Sequence, residues 1–488
     1  MNDNAQKYMT LRGMYEDFIY EGYTVTDECK MLNITYHFCI PGLARFDPTW
    51  SFTIPDSHRF DIDHACLNRL VFSLGMVELV SYWKISCPPC VRIDAGSLTD
   101  EQISWWKKLY FHGLGEFFYL NGIIPDDNFM NINCTSQRAD LFALFSTDKS
   151  AASTMNSSQP RVLIPIGGGK DSALTLELLR GSAERYAYII NPRPATRNTV
   201  EMSGIGEARL ITAKRTLDKN MLDLNTQGYL NGHTPFSAIV AFSSVLAGYL
   251  NGMDYVALSN ESSANESTVA GSDVNHQYSK SFEFETDFRQ YEREYIASGV
   301  EYFSLLRPLL ELQIARSFAQ YKQYHPVFQS CNGSEKTNEW CGTCPKCLFV
   351  YVILAPFLNE SELRAIFGKN LFEDVSLFDT LDELAGFTLE KPFECVGRRD
   401  EVRAALEMTA AKYKEVGLKL PPVLLHYKET CAAECVTTCD IDNTDDAIGI
   451  TSVEIGEILS YFDEANAVPA QFVSAVRHAA HAEALPRG

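Results

Sequence analysis

The stretch that most limits how this chain can fold is residues 161–181, "RVLIPIGGGKDSALTLELLRG". A short apolar run meets three glycines, and leucines at helical spacing follow. That pattern reads as strand, tight turn and helix, with Gly181 suited to the position just past the helix end. The rhythm then continues. "AYIIN" and "ARLITAK" read as strands, "PFSAIVAFSSVLAGYLNG" as a helix and "DYVALSN" as a fourth strand. Such alternation predicts an α/β fold, a parallel sheet with helices on both faces. Ligands of these sheets sit beyond the carboxyl ends of the strands, where three polar loops fall: 167–172, 191–197 and 259–266.

The chain of 488 residues exceeds one domain's usual share. Residues 1–145 read as an α+β N-terminal domain, with strands in "NITYHFCI" and "WSFTI". Its helices are "HACLNRLVFSLGMVELVSYW" and a second that Thr99 and Gln102 open as a capping box. Residues 146–160, small and polar and ending in proline, read as a linker. Residues 161–350 form the glycine-loop domain with a cysteine cluster, and 351–425 a helical extension. Residues 426–488 read as a polar loop followed by two short helices without an assigned role.

Charge and cysteine use narrow the function. A net charge of -21 repels polyanions and disfavours nucleic acid as the main substrate. The N-terminus carries no apolar signal region, and no apolar run approaches the ~20 residues a membrane span needs, so no membrane is expected. The 14 cysteines then point to a reducing, cytoplasmic setting, where clusters suggest metal or chemistry before disulfides.

The loop "GGGKDS" is neither of the two best-known phosphate turns. A kinase-type P-loop needs glycine where Ile164 stands and Ser or Thr where Asp171 stands. A dinucleotide turn needs glycine at Ser172. The loop resembles instead the S-G-G-x-D-S loop of ATP pyrophosphatases, over Gly167, Gly168, Gly169, Lys170, Asp171 and Ser172, with glycine replacing the first serine. The resemblance implies the adenine nucleotide alpha hydrolase-like fold and cleavage of ATP between its α and β phosphates. Small residues let backbone N–H groups close on phosphate oxygens at a helix start. Lys170 can neutralise the leaving group, Asp171 can hold Mg2+ or cap the helix, and Ser172 can donate a hydrogen bond.

Downstream, Cys331, Cys341, Cys344 and Cys347 form a C-x9-C-x2-C-x2-C array with Gly342 and Pro345 inside the turns. Four thiolates at this spacing suit a structural Zn2+. The spacing resembles the zinc site of 7-cyano-7-deazaguanine synthases, which also carry a pyrophosphatase loop. Free or buried thiols are the plain alternative, and a proton-transfer role for one of the four is a third reading. Cys87 and Cys90, flanking two prolines, are a weaker redox or metal candidate.

Further polar stretches have no evident core role: "NGHTPFSA", "ALSNESSANEST", "NHQYSKSFEFE" and "LLRPLLELQIAR". With "VSYWKISCPPC" and "HGLGEFFYLN" in the first domain, they resemble the UDP-N-acetyl-α-D-muramoyl-L-alanyl-L-glutamate epimerase family over roughly residues 30–420. That resemblance implies ATP-dependent inversion of a terminal L-glutamate in peptidoglycan precursor synthesis, with release of AMP and diphosphate. The implied small-molecule substrate is UDP-N-acetylmuramoyl-L-alanyl-L-glutamate, and the implied pathway partner is a muramoyl ligase that adds L-glutamate. Adenylation removes the charge of the carboxylate beside the α-carbon, so an ordinary base can take the α-proton. Ser259, Asn260 and Glu261 close the fourth strand and face the nucleotide in this reading, with Glu261 a magnesium ligand, a base or a loop-ordering carboxylate. His276 and Lys280 are the leading candidates for proton transfer or substrate-phosphate contact, and His233 is a further candidate base. Arg307 and Arg316 are candidates to clamp a carboxylate or phosphate. Two other readings stay open: a deazaguanine synthase-like adenylating enzyme, and an ATP-binding sensor without turnover.

Overall fold

The computed structural model describes residues 3–28, 30–54, 62–134, 159–269, 274–331, 333, 339–438 and 450–481. Most of the expected linker, 146–158, lies outside them. The strands are β1 (Asp17–Glu28), β2 (Met31–Ile40), β3 (Ala44–Phe46), β4 (Thr49–Thr53), β5 (Cys90–Ile93), β6 (Asn131–Cys134), β7 (Arg161–Pro165), β8 (Glu184–Ile190), β9 (Leu210–Thr216), β10 (Tyr255–Leu258) and β11 (Glu301–Ser304). All belong to one sheet of order β11-β10-β7-β8-β9-β4-β2-β1-β5-β6, with β3 on β2.

Five neighbours, β11, β10, β7, β8 and β9, run parallel. Counted from β7, their order is 3-2-1-4-5, so the chain leaves β7 in one direction and returns at β10 on the other side. The connections therefore part beyond the carboxyl ends of β7 and β10 and open a crevice there. Both faces of this parallel part are covered, as the continuous apolar runs predict. Along β7, Leu163 joins one core while Val162 and Ile164 join the other; Ala257 and Val256 divide the same way on β10. Helices His64–Trp83 and Phe236–Leu250 fill one side, and Lys170–Leu178 packs on the other.

β11 carries no sequence signal of its own, because four residues of "EYFS" are too few to show a period. The first part of the chain joins the same sheet through β4, which pairs antiparallel with β9 from Thr49↔Thr216 to Phe52↔Ala213. Beneath that seam, the buried Glu78 carboxylate accepts from the Arg215 guanidinium at 2.7 Å. Thr99 caps helix Asp100–Gly113 in the expected reciprocal box with Gln102. One described helix, His64–Trp83, is long and apolar enough to cross a membrane, and it lies mostly buried inside the protein.

Helix Pro422–Thr438 extends into the stretch read from sequence as a polar loop, since Ala432 and Ala433 sustain the helix. The last two helices, Ser452–Ser460 and Ala470–His481, seal the face beside helix Glu311–Phe318. Phe472 and Val476 are fully buried there. Gln313 donates to the carbonyls of Tyr461 at 2.9 Å and Leu459 at 3.2 Å, and Arg316 to that of Ala480 at 2.6 Å. Arg316 thus caps helix C-termini, where the dipole favours a cation, and is not a ligand clamp. Deleting the chain after Ile450 is expected to cost about 5 kcal/mol of stability, from two or three exposed apolar side chains and the uncapped ends. A denaturant midpoint unchanged by the truncation would contradict this packing.

Candidate active site

A cavity of about 650 Å³ opens at the crevice between β7 and β10. Its floor is the glycine loop. Gly168 has φ of 87°, and a Cβ there would come within 3.2 Å of the Thr196 backbone nitrogen, so both conformation and space demand glycine. Gly169 caps helix Lys170–Leu178 without a side-chain bond to the first-turn N–H groups. At Gly167 a Cβ would meet nothing within 4 Å, so the fold does not forbid the serine usual at that place. Small residues and a helix start form a cradle suited to an anion.

Gly167, Gly169, Asp171, Ser172, Ser259 and Asn260 line this cavity, as do His233, His276 and Lys280. The hydroxyls of Thr175 and Ser259 bond at 2.9 Å, and Asn260 donates to Ser304 Oγ at 3.1 Å. These bonds tie helix Lys170–Leu178, the loop after β10 and the end of β11 together. Ser172 Oγ donates to the Gly169 carbonyl at 3.1 Å.

Lys170 and Glu261 sit behind the wall, only 2 % and 3 % exposed. Lys170 is ion-paired with Asp171 and Glu311. Burial disfavours its charge, yet these two carboxylates hold it protonated. Asp171 remains ionised: burial pushes its carboxyl up, but Lys170, Lys346 and Lys280 bring it below the usual range. Glu311 is raised to about 7 by burial and by Asp171 and Glu261, against the pull of Lys170. Glu261 is raised chiefly by burial. A crowd of three carboxylates and three lysines therefore surrounds the loop.

Arg307 is fully buried. It donates to Glu285 at 3.1 Å, to the Glu261 carbonyl at 2.6 Å and to the Lys280 carbonyl. It therefore holds the two segments that carry Glu261 and Lys280, and does not clamp a ligand as the sequence suggested.

The far wall holds a residue that sequence reading passed over. Cys395, half-buried and open to the cavity, lines it together with His276, Lys280 and Lys346, and Lys346 Nζ donates to its backbone carbonyl. Burial pushes its thiol up, but Lys280, His276 and Lys346 bring it down to about 5. His276 Nδ1 bonds the Glu116 carboxylate. Burial opposes the charge on this imidazole, but Cys395 and Glu116 raise it to about 9. At neutral pH the pair is thus thiolate and imidazolium. His233, with its ring 4.5 Å from that of His276, is lowered to about 4 by burial and by the His276 charge. Lys280 stays protonated: burial opposes the charge, but Cys395 and Glu261 outweigh it. Cys395 had no sequence signal, being one cysteine in the irregular stretch "KPFECVGRR". Glu116 and Lys346 were hidden within an aromatic run and between two cluster cysteines.

The four clustered cysteines come together beside the loop. Their Sγ atoms lie 3.8 Å (Cys331–Cys344), 3.6 Å (Cys341–Cys347) and 3.5 Å (Cys344–Cys347) apart. Disulfide sulfurs would be about 2.05 Å apart. Four thiolates about 2.3 Å from a tetrahedral zinc have edges of about 3.8 Å, which this arrangement approaches. The knuckle docks on the glycine loop, with Gln329 N–H donating to the Gly168 carbonyl at 2.8 Å. Cys87, by contrast, is fully buried and bonds the Lys84 carbonyl, which leaves the "CPPC" stretch no exposed redox pair.

Two family models match the chain, one described as the MurL N-terminal domain over residues 9–305 and one as the MurL C-terminal domain over 327–433. A UDP-N-acetyl-alpha-D-muramoyl-L-alanyl-L-glutamate epimerase of Xanthomonas oryzae pv. oryzae is 38% identical over 353 residues, 70% of this chain and 75% of that protein. Proteins of the same name from Salinispora tropica and a Micromonospora species are 34% and 33% identical, over 75% and 76% of this chain and 79% and 81% of their own lengths. No solved structure matches the chain.

Proposed function

This chain belongs to the UDP-N-acetyl-α-D-muramoyl-L-alanyl-L-glutamate epimerase family, and we propose that it inverts the terminal glutamate of that nucleotide by way of an adenylated carboxylate. The observation that carries the mechanism is one cavity holding both an anion cradle on "GGGKDS" and a set of charged proton-transfer groups. The 3-2-1-4-5 strand order, with that loop after its first strand, supports an adenine nucleotide alpha hydrolase-like arrangement.

In this reading the phosphates of ATP lie on the N–H groups of the loop and of the helix that starts at Lys170. Asp171, ionised and facing the cavity, fits a Mg2+ ligand, and that ion when bound would neutralise phosphate charge. Lys280 and Lys346 lie on the same cavity and add positive charge. The substrate's α-carboxylate attacks the α-phosphorus and diphosphate leaves. The acyl adenylate carries no charge next to the α-carbon, so its α-proton is far more acidic than that of the free carboxylate. Reprotonation on the opposite face and hydrolysis then give the D-glutamyl product and AMP. Such an enzyme works in the cytoplasm, on the product of a ligase that attaches L-glutamate.

Four clustered cysteines would hold a structural Zn2+ that stiffens the knuckle under the loop. Purified protein is expected to carry about one equivalent of zinc, and Cys344→Ser to lose it and slow AMP formation. Less than half an equivalent in wild-type protein would contradict the four-thiolate site. The function itself is tested by supplying ATP, Mg2+ and the L-alanyl-L-glutamyl nucleotide. AMP, diphosphate and D-glutamyl product are expected only when all three are present. AMP release without inversion would overturn the proposal.

A further inference from the structure

Inversion needs one group that takes the α-proton and another that returns a proton to the opposite face. Most titratable groups on the cavity are unsuited to the first task. Lys280 and His276 are held protonated, and Asp171 is engaged by Lys170. His233 is neutral, but Glu116 and the charged His276 crowd its ring.

Cys395 differs in its surroundings. Its side chain opens on the same cavity as the loop. It shares the cavity wall with His276 and Lys280, whose positive charges favour a thiolate, while Lys346 donates to its backbone carbonyl. Glu116 orients the imidazole from behind. A sulfur on the same wall as an imidazole that a carboxylate holds from behind is how proteins favour an ionised thiol. A sulfur facing three cations across the wall of a ligand-sized cavity is the kind of arrangement that marks functional sites.

Resting on the adenylation reading above, we infer that Cys395 is one of the two proton-transfer residues, removing or returning the glutamyl α-proton on one face. In the forward sense the Cα–H bond breaks and its electron pair moves into the bond to the activated carbonyl. The sulfur gains the proton and becomes a thiol. A protonated group on the opposite face then gives its proton to Cα, and the two groups return to their starting states by exchange with solvent. No oxidant or further reactant is needed. His276 and Glu116 are positioning residues: they keep the sulfur ionised and pointed.

The test uses full-length wild type, Cys395→Ala and Cys395→Ser with ATP, Mg2+ and the L-alanyl-L-glutamyl nucleotide in heavy water. D-product is expected to fall at least about 100-fold in both variants, the scale of a lost general base, and α-deuterium persisting in recovered L-substrate would place Cys395 on the face that receives the returning proton. AMP release is expected to persist within about tenfold, which also reports that the variants fold. D-product formed by Cys395→Ala within about threefold of the wild-type rate would overturn the inference. Loss of AMP release together with exchange would also overturn it, by placing Cys395 in adenylation or packing. If wild type itself releases no AMP with this substrate, the adenylation reading has failed, and that outcome is separate from a failure of Cys395 alone.

A second measurement needs neither ATP nor substrate. The alkylation rate of Cys395 by iodoacetamide, followed by peptide mass, should rise through about pH 5 and stay level from pH 6 to 8. The groups that set this are His276, Lys280 and Lys346 around the sulfur, with Glu116 and His233 beyond the imidazole. His276→Gln should shift the rise upward, because the imidazolium no longer favours the thiolate. A wild-type rate still climbing between pH 7 and 9, as for an ordinary thiol, would overturn the assignment.

Discussion

Asp171→Asn is expected to lower substrate-dependent AMP release by about 10³-fold, with little change in fold. Asparagine has the same shape, so packing at the start of helix Lys170–Leu178 is kept. What disappears is the one loop carboxylate that faces the cavity. In wild type it is ionised despite burial, because Lys170, Lys346 and Lys280 surround it. Lys170 keeps its second partner, Glu311, in the variant and stays paired. The loss is therefore one of catalysis, and a thermal melt close to wild type would show so. Unchanged AMP release would mean that the loop is not where ATP is cleaved.

The second large effect is structural. Arg307→Met should destabilise the protein by about 3–5 kcal/mol, read as a lower denaturant midpoint, and should also impair turnover. The guanidinium is fully buried, and its removal leaves the Glu285 carboxylate and the carbonyls of Glu261 and Lys280 without their donor. Among the described residues, Glu285 would retain only its bond from the Ser304 N–H at 2.8 Å. Adding Glu285→Gln to Arg307→Met should recover part of the stability, because no unpaired charge then remains. It should not recover turnover, since the Glu261 and Lys280 segments stay untethered. A single variant as stable as wild type would show that Arg307 is not the hub described.

These two positions mark what a local sequence pattern can point to and what it cannot. Asp171 was legible because "GGGKDS" lies between an apolar run and a helical pattern, and local physics narrows what such a turn can do. The four cysteines were legible by spacing, and Thr99 by its cap. Arg307 was not, because whether an arginine meets a ligand or a buried carboxylate depends on Glu285, 22 positions away. The pairing of β4 with β9 was hidden for the same reason: antiparallel partners far apart in sequence leave no local mark. Cys395 is the clearest case. Its chemistry comes from His276, Lys280 and Lys346, which the fold gathers from two separate stretches of chain. The last two helices were visible as helices, but their role in covering helix Glu311–Phe318 appears only once Gln313 and Arg316 are seen to cap them.

Glutamate activation by adenylation is the central claim, and oxygen transfer tests it most directly. The L-alanyl-L-glutamyl nucleotide, labelled with oxygen-18 in the glutamyl α-carboxylate, is turned over with ATP and Mg2+, and the AMP is examined by mass spectrometry. Because the carboxylate oxygen that attacks phosphorus stays with AMP when water cleaves the acyl bond, AMP carrying one labelled oxygen is expected in step with D-glutamyl product. Inversion accompanied by unlabelled AMP would contradict the account.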